Sequence, residues 1–164
     1  MVPTCPLDEN CGRSLAGVVW SLLFACMSFY WAGGGKLGVD TLGPEISRQA
    51  VMRDEGFILV VWITGAANSA GALVLLALTI RWNSGLIRTA LIFAAMIGGI
   101  FLFLYGLFNF AAVLLALVRV LSLPVDPYSA WWRLLFWEPF WMAGGLLYFV
   151  SGRTAKAGDV INEK

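Results

Sequence analysis

Three carboxylates stand where they could act on something at a membrane surface. Asp40 and Glu45 fall in the polar stretch after a first apolar run, and Glu138 is set among aromatics in WRLLFWEPFW. A carboxyl held out of water is a usable general acid or base. Arg133, five residues before Glu138, is the nearest charged candidate to pair with it, and Lys36 lies four residues before Asp40. A structural ion pair or a helix cap is the alternative to a catalytic role. Two amides, Asn68 and Asn109, fall inside long apolar runs, where each needs a partner and must face the protein interior. Hydrogen bonding between helices is their ordinary role, and lining a polar pocket is the alternative. Tyr105, four residues before Asn109, shares its helix face and is a candidate pocket wall. Trp137 and Trp141 flank the glutamate and, with Tyr30 and Trp31, are candidate pocket walls. The same four, with Trp131 and Trp132, also suit an ordinary interfacial aromatic belt.

Several chemistries are disfavoured by composition. The chain has no histidine, so its serines have no imidazole base, and there is neither a GxSxG elbow nor a phosphate-cradling loop. Cys5 and Cys11 are spaced like no common zinc pattern, so neither a metal nor a cofactor is expected. The formal charge of +1, without a Lys/Arg cluster, gives no reason to expect a nucleic-acid partner.

The elements that must position these residues are apolar helices. Of 164 residues, 60% are hydrophobic and 13% charged, against about 25% charged in a soluble domain. A soluble fold of this size has too little interior for so much apolar surface. Four stretches approach the roughly 20 residues a spanning helix needs: about 14–32, 56–80, 89–118 and 131–150. The expected fold is all-α, a polytopic membrane protein built as a four-transmembrane-helix bundle over 14–151, with tails at 1–13 and 152–164. The fourth span is the irregular one. The residue before a proline is pushed out of the helical region, so Pro139 predicts a helix restart with Glu138 at its N-terminal end. Residues 130–137 would then form an interfacial segment or a kinked continuation.

Small residues four apart predict where helices approach closely. The pairs are Gly65/Ser69, Ala66/Ala70 and Ala67/Gly71 on the second span, and Ala94/Gly98 and Ala95/Gly99 on the third. Gly17, Ser21 and Ala25 make a stripe on the first. The first run is read as a retained span, since Asp8 and Glu9 precede it where a cleaved signal carries positive charge. The basic loop 81–88 and Arg153 and Lys156 after the last span predict both termini in the cytoplasm. Six Lys/Arg then lie inside and five outside, so the short loop decides. In that orientation Cys5 and Cys11 are expected to stay reduced.

The pairing of YWAGGGKLGVDTLG after a first span with WEPFWMAGG in a fourth resembles a family of small four-span bacterial membrane proteins defined only as a domain of unknown function. The carrying residues are Tyr30, Trp31, Gly34, Gly35, Gly38 and Asp40. The resemblance implies four helices in a bacterial cytoplasmic membrane, and no reaction.

Three functions fit this sequence. The first is a non-enzymatic membrane protein that binds a lipid-like molecule or serves as a subunit of an assembly with another membrane protein, its polar site at the outer interface. The second is a membrane-embedded enzyme using Asp40 or Glu45 with Glu138 on an amphiphile. The third is a transporter or channel component with Asn68, Asn109 and Glu138 along a path, which requires a homo-oligomer. The first is favoured because no nucleophile meets a base. Lys36 or Asp40 is further expected to approach Arg133 or Glu138.

Overall fold

In the computed structural model, residues 9–162 are described apart from 81, 83, 123 and 124. They form α1 (Glu9–Ala32), a 3-10 turn (Val39–Leu42), α2 (Pro44–Met52), α3 (Glu55–Leu78) and α4 (Gly85–Leu117). Then follow α5 (Pro127–Trp132), a π-helical turn (Arg133–Trp137) and α6 (Glu138–Asn162). Four helical stretches are long and apolar enough to cross a membrane: Cys11–Ala32, Glu55–Leu78, Gly85–Leu117 and Pro127–Ala157. No strand is present among the described residues. Trp62, Ile63, Leu73, Ile97, Phe101 and Phe108 all turn outward. Outer faces of that kind belong in lipid.

Helix ends follow local chemistry. Asp54 caps α3, its carboxylate accepting from the Phe57 N–H at 3.1 Å, and Asp126 caps α5 by accepting from the Ser129 N–H at 2.9 Å. Pro44 starts α2, where its missing N–H costs nothing. At the end of α1, Gly34 adopts φ +100° and its N–H bonds the Trp31 carbonyl. Arg53 donates to the Ala32 carbonyl at 2.9 Å, placing a cation on the negative end of α1.

The fourth span is irregular at Pro139 as expected, but the irregularity is a π turn within a continuing helix and not a fresh helix start. Trp132, Arg133 and Glu138 all have helical backbone angles, so α5, the π turn and α6 run on as one helix. In a regular α-helix Pro139 would collide with the carbonyl four residues back. The π turn relieves this by sending the Glu138 N–H to the Arg133 carbonyl, five residues back. Glu138 is therefore inside a continuous helix, and the expected cap by the helix dipole does not arise. The helices also outrun the expected spans. α1 begins at Glu9, inside the expected tail, and α6 continues to Asn162.

Packing is organised as α1 against α3 and α4 against α6, with α1 also touching α6. The α4–α6 seam is backbone on backbone. A Cβ on Gly99 would stand 2.5 Å from the Phe149 nitrogen, and one on Gly145 would stand 2.5 Å from the Phe103 nitrogen. Gly106 and Gly152 continue the seam, each seven residues on, the repeat of a supercoiled pair. Of the expected small-residue pairs, Ala95 and Gly99 serve here, but Ala66, Ala67, Ala70 and Ala94 are exposed. Gly65 receives the Phe29 ring, and Gly71 makes room for the Tyr148 hydroxyl. That hydroxyl lies 2.6 Å from Ser21 Oγ, linking α1 to α6 in the core.

Cys11 is disulfide-bonded, against the expectation of a reduced thiol. Cys5 lies outside the described residues, and Cys26 is free and exposed.

Candidate functional site

The π turn determines which polar residues meet. Residues five apart point about 140° away from each other on a 3.6-residue helix. A turn closed by five-residue hydrogen bonds winds more slowly and brings them onto one side of the helix. Arg133 thus stacks over Glu138, its Nε donating to Oε1 at 2.9 Å and Nη2 lying 2.8 Å from the same oxygen. The Glu138 side chain is only 5% exposed and that of Arg133 29%. Gly106 lets α4 approach here, since a Cβ on it would stand 2.9 Å from the Glu138 carbonyl. One turn further on, Asn109 Oδ1 accepts from Arg133 Nη2 at 3.1 Å, while its amide donates to the Tyr105 carbonyl at 2.9 Å. Asn109, Arg133 and Glu138 are therefore one cluster bridging α4 to the fourth span.

The remaining candidates do not join it. Asn68 is buried but turns its amide to the Thr64 carbonyl of its own helix at 2.9 Å. Glu45 sits on the outside of α2, bonded to Arg48 at 2.7 Å and to Gln49. The Arg48 guanidinium, then Gln49, hold the Glu45 carboxyl below its usual range. Asp40 accepts from the Tyr128 hydroxyl at 3.4 Å. Lys36 is exposed, and its ammonium has no hydrogen bond or ion pair among the described residues. The polar loop does share a face with the cluster, because it packs on the start of the fourth span. The expected contact of Lys36 or Asp40 with Arg133 or Glu138 is absent: Asn109 holds that place instead.

Between α1 and the fourth span lies an apolar groove of about 400 Å³. Phe24 and Met27 form one wall, and Phe136, Trp137 and Phe140 the other. Gly38 and Thr41 roof it. Gly38 has φ +75°, which only glycine takes freely, and so turns the chain over the groove. Thr41 then locks the roof: its hydroxyl donates to the Gly38 carbonyl at 2.5 Å and accepts from Trp137 Nε1 at 2.9 Å. Trp31 Nε1 donates to the Leu37 carbonyl at 2.9 Å and its ring packs 5.7 Å from that of Trp137. The groove opens beside Leu23 and Trp132, exposed at 61% and 42%.

Among the expected walls only Trp137 lines this groove. Trp31 is buried behind it, and Trp141 packs on Phe24 with ring centroids 4.3 Å apart. Tyr30 and Tyr105 are exposed, Tyr105 standing edge-on to Trp141. Sequence reasoning missed Phe24, Met27, Phe136 and Phe140, which carry no signal that separates them from lipid-facing side chains. Thr41 was detectable as a hydroxyl three residues after a glycine in a loop facing tryptophans.

No curated protein and no solved structure matches the chain. A family model described as "Protein of unknown function (DUF3995)" matches residues 21–148, from the first spanning helix to the last. The matched segment contains the glycine turn, the roof, the groove walls and the Asn109–Arg133–Glu138 cluster, and the chain belongs to the DUF3995 family.

Proposed function

We propose that this protein is an integral membrane protein of a bacterial cytoplasmic membrane that holds the tail of a lipid-like amphiphile in the groove between α1 and the fourth span. The observation that carries this reading is the groove itself. Its volume of about 400 Å³ falls in the range of small-molecule sites, about 300–1,000 Å³. Its walls are apolar, its mouth stands between lipid-facing side chains, and its roof hydroxyl is already satisfied by protein partners. An apolar chain suits such a space and a polar metabolite does not.

The enzyme reading draws no support from the carboxylates. Each is engaged by a different partner: Glu138 by Arg133, Asp40 by Tyr128 and Glu45 by Arg48. A path along Asn68, Asn109 and Glu138 is likewise unsupported, since Asn68 bonds within α3 while the other two meet between α4 and the fourth span. A role as subunit of a homo-oligomer or larger membrane assembly is the second reading. The outward Ala66, Ala67 and Ala70 on α3 support it, as small residues favour close helix contact.

Filling the groove tests the first reading. Met27→Trp adds bulk to one wall and is expected to abolish retention of a single tightly held amphiphile in native mass spectrometry of the detergent-purified protein. Equal adducts on the parent and the variant would sink the groove as the binding site.

The proposed orientation keeps both termini in the cytoplasm, on the strength of the loop 81–88, which carries two arginines and no acidic residue. The Cys11 disulfide weighs the other way, since such bonds persist in oxidising compartments. A reporter enzyme active only outside the cytoplasm, fused after Lys164, is expected to stay silent. Its activity would reverse the assignment.

A further inference from the structure

Five cations lie on the membrane face that carries the roof: Lys36, Arg48, Arg53, Arg119 and Arg133. Three are committed within the protein. Arg48 pairs with Glu45, Arg53 closes the end of α1 on the Ala32 carbonyl, and Arg133 is held by Glu138 and Asn109. Arg119 borders a different cavity, at the end of α4. The Lys36 ammonium has no partner among the described residues, and Lys36 stands two residues from Gly38, part of the groove roof. Two residues span at most about 7 Å of chain. Asp40, the acid nearest in sequence, turns to the Tyr128 hydroxyl.

The apolar walls lie deeper than this cation. Leu23 and Met27 precede the end of α1 at Ala32 by nine and five residues, or about 14 and 8 Å along the helix. An exposed cation two residues from the roof glycine, above an apolar slot, matches the order of an amphiphile standing in one leaflet, headgroup outward and tail inward. Charge complementarity then selects the headgroup. We infer that the groove and Lys36 together form a site for an anionic lipid, whose tail lies along Phe24 and Phe136 while its phosphate or carboxylate pairs with the Lys36 ammonium. The inference rests on the groove reading above and adds the headgroup to it.

The test uses the full-length protein, delipidated in detergent and offered equimolar dioleoyl-phosphatidylglycerol and dioleoyl-phosphatidylcholine, with single-lipid adducts counted by native mass spectrometry. The parent is expected to favour the anionic lipid about fivefold, the order that one basic side chain near a charged lipid supplies. Lys36→Gln should bring the ratio to about one, and Lys36→Arg should restore it. Lys36 is exposed, so neither change threatens the fold. A parent that retains both lipids equally, or a Lys36→Gln variant that keeps the preference, overturns the headgroup assignment while leaving the groove reading standing. A parent that retains neither lipid removes both.

Discussion

Arg133→Ala should destabilise the purified protein by about 3–5 kcal/mol, the cost of leaving a buried charge without its partner. Glu138 is the charge at risk, because its side chain is 5% exposed and, among the described residues, Arg133 is its one hydrogen-bonding side-chain partner. Glu138→Ala should cost less. Arg133 is 29% exposed, keeps Asn109, and has a stem long enough to carry its head towards water. Replacing both residues by methionine should recover most of the loss, since an apolar pair of similar volume often serves as well as an ion pair in a low-dielectric site. Unfolding by denaturing detergent in mixed micelles gives all four stabilities. A double variant as damaged as Arg133→Ala would mean that the cluster does more than balance its own charges.

Gly145→Ala should cost about 3 kcal/mol, the upper end of the range for overpacking. The added methyl has nowhere to go: it would stand 2.5 Å from the Phe103 nitrogen and 2.6 Å from the Gly99 oxygen, both backbone atoms of α4. The two helices must separate along their whole contact to admit it. Gly98→Ala is the matched control, since its nearest added neighbour is Cδ1 of the Tyr148 ring at 4.0 Å. That change should be neutral or slightly stabilising, because alanine is the better helix former by about 1 kcal/mol. Similar melting temperatures for the two variants would show that the α4–α6 seam does not hold this part of the fold.

The contrast between Gly98 and Gly145 also marks how far the sequence could be read. Apolar length alone locates the four spanning stretches, because lipid imposes a requirement that a helix meets by composition. The face each helix turns inward is not fixed in this way. In water an apolar stripe points to the core, but in lipid both faces are apolar and the stripe disappears. Ala66/Ala70 and Ala95/Gly99 look alike as patterns, yet the first pair faces outward and the second is in the seam. Phe24 and Phe140, which wall the groove, were indistinguishable from Phe101 and Phe108, which face out.

Charged and amide residues were more legible. Glu138 in an apolar setting demands a counter-charge, and Arg133 was the nearest in sequence. The form of their meeting was not legible, since five-residue spacing on an α-helix points the two apart. Pro139 supplies the missing step by forcing the π turn that realigns them. The loop was misjudged for a related reason. Lys36 and Asp40 are free to pair with any opposite charge on their face, but Asn109, brought close at Gly106, already occupies the open side of Arg133. What the loop delivers to the fourth span is neutral, the Thr41 hydroxyl under Trp137.

The central claim is that the groove beneath Gly38 and Thr41 is a lipid-tail site. A high-resolution density map of the protein in lipid nanodiscs tests it most directly. The account predicts one continuous chain-shaped feature between Phe24 and Phe136, rising past the roof towards Lys36. A closed groove, with the walls in contact and ordered lipid only on the outer faces of α3 and α4, would contradict it.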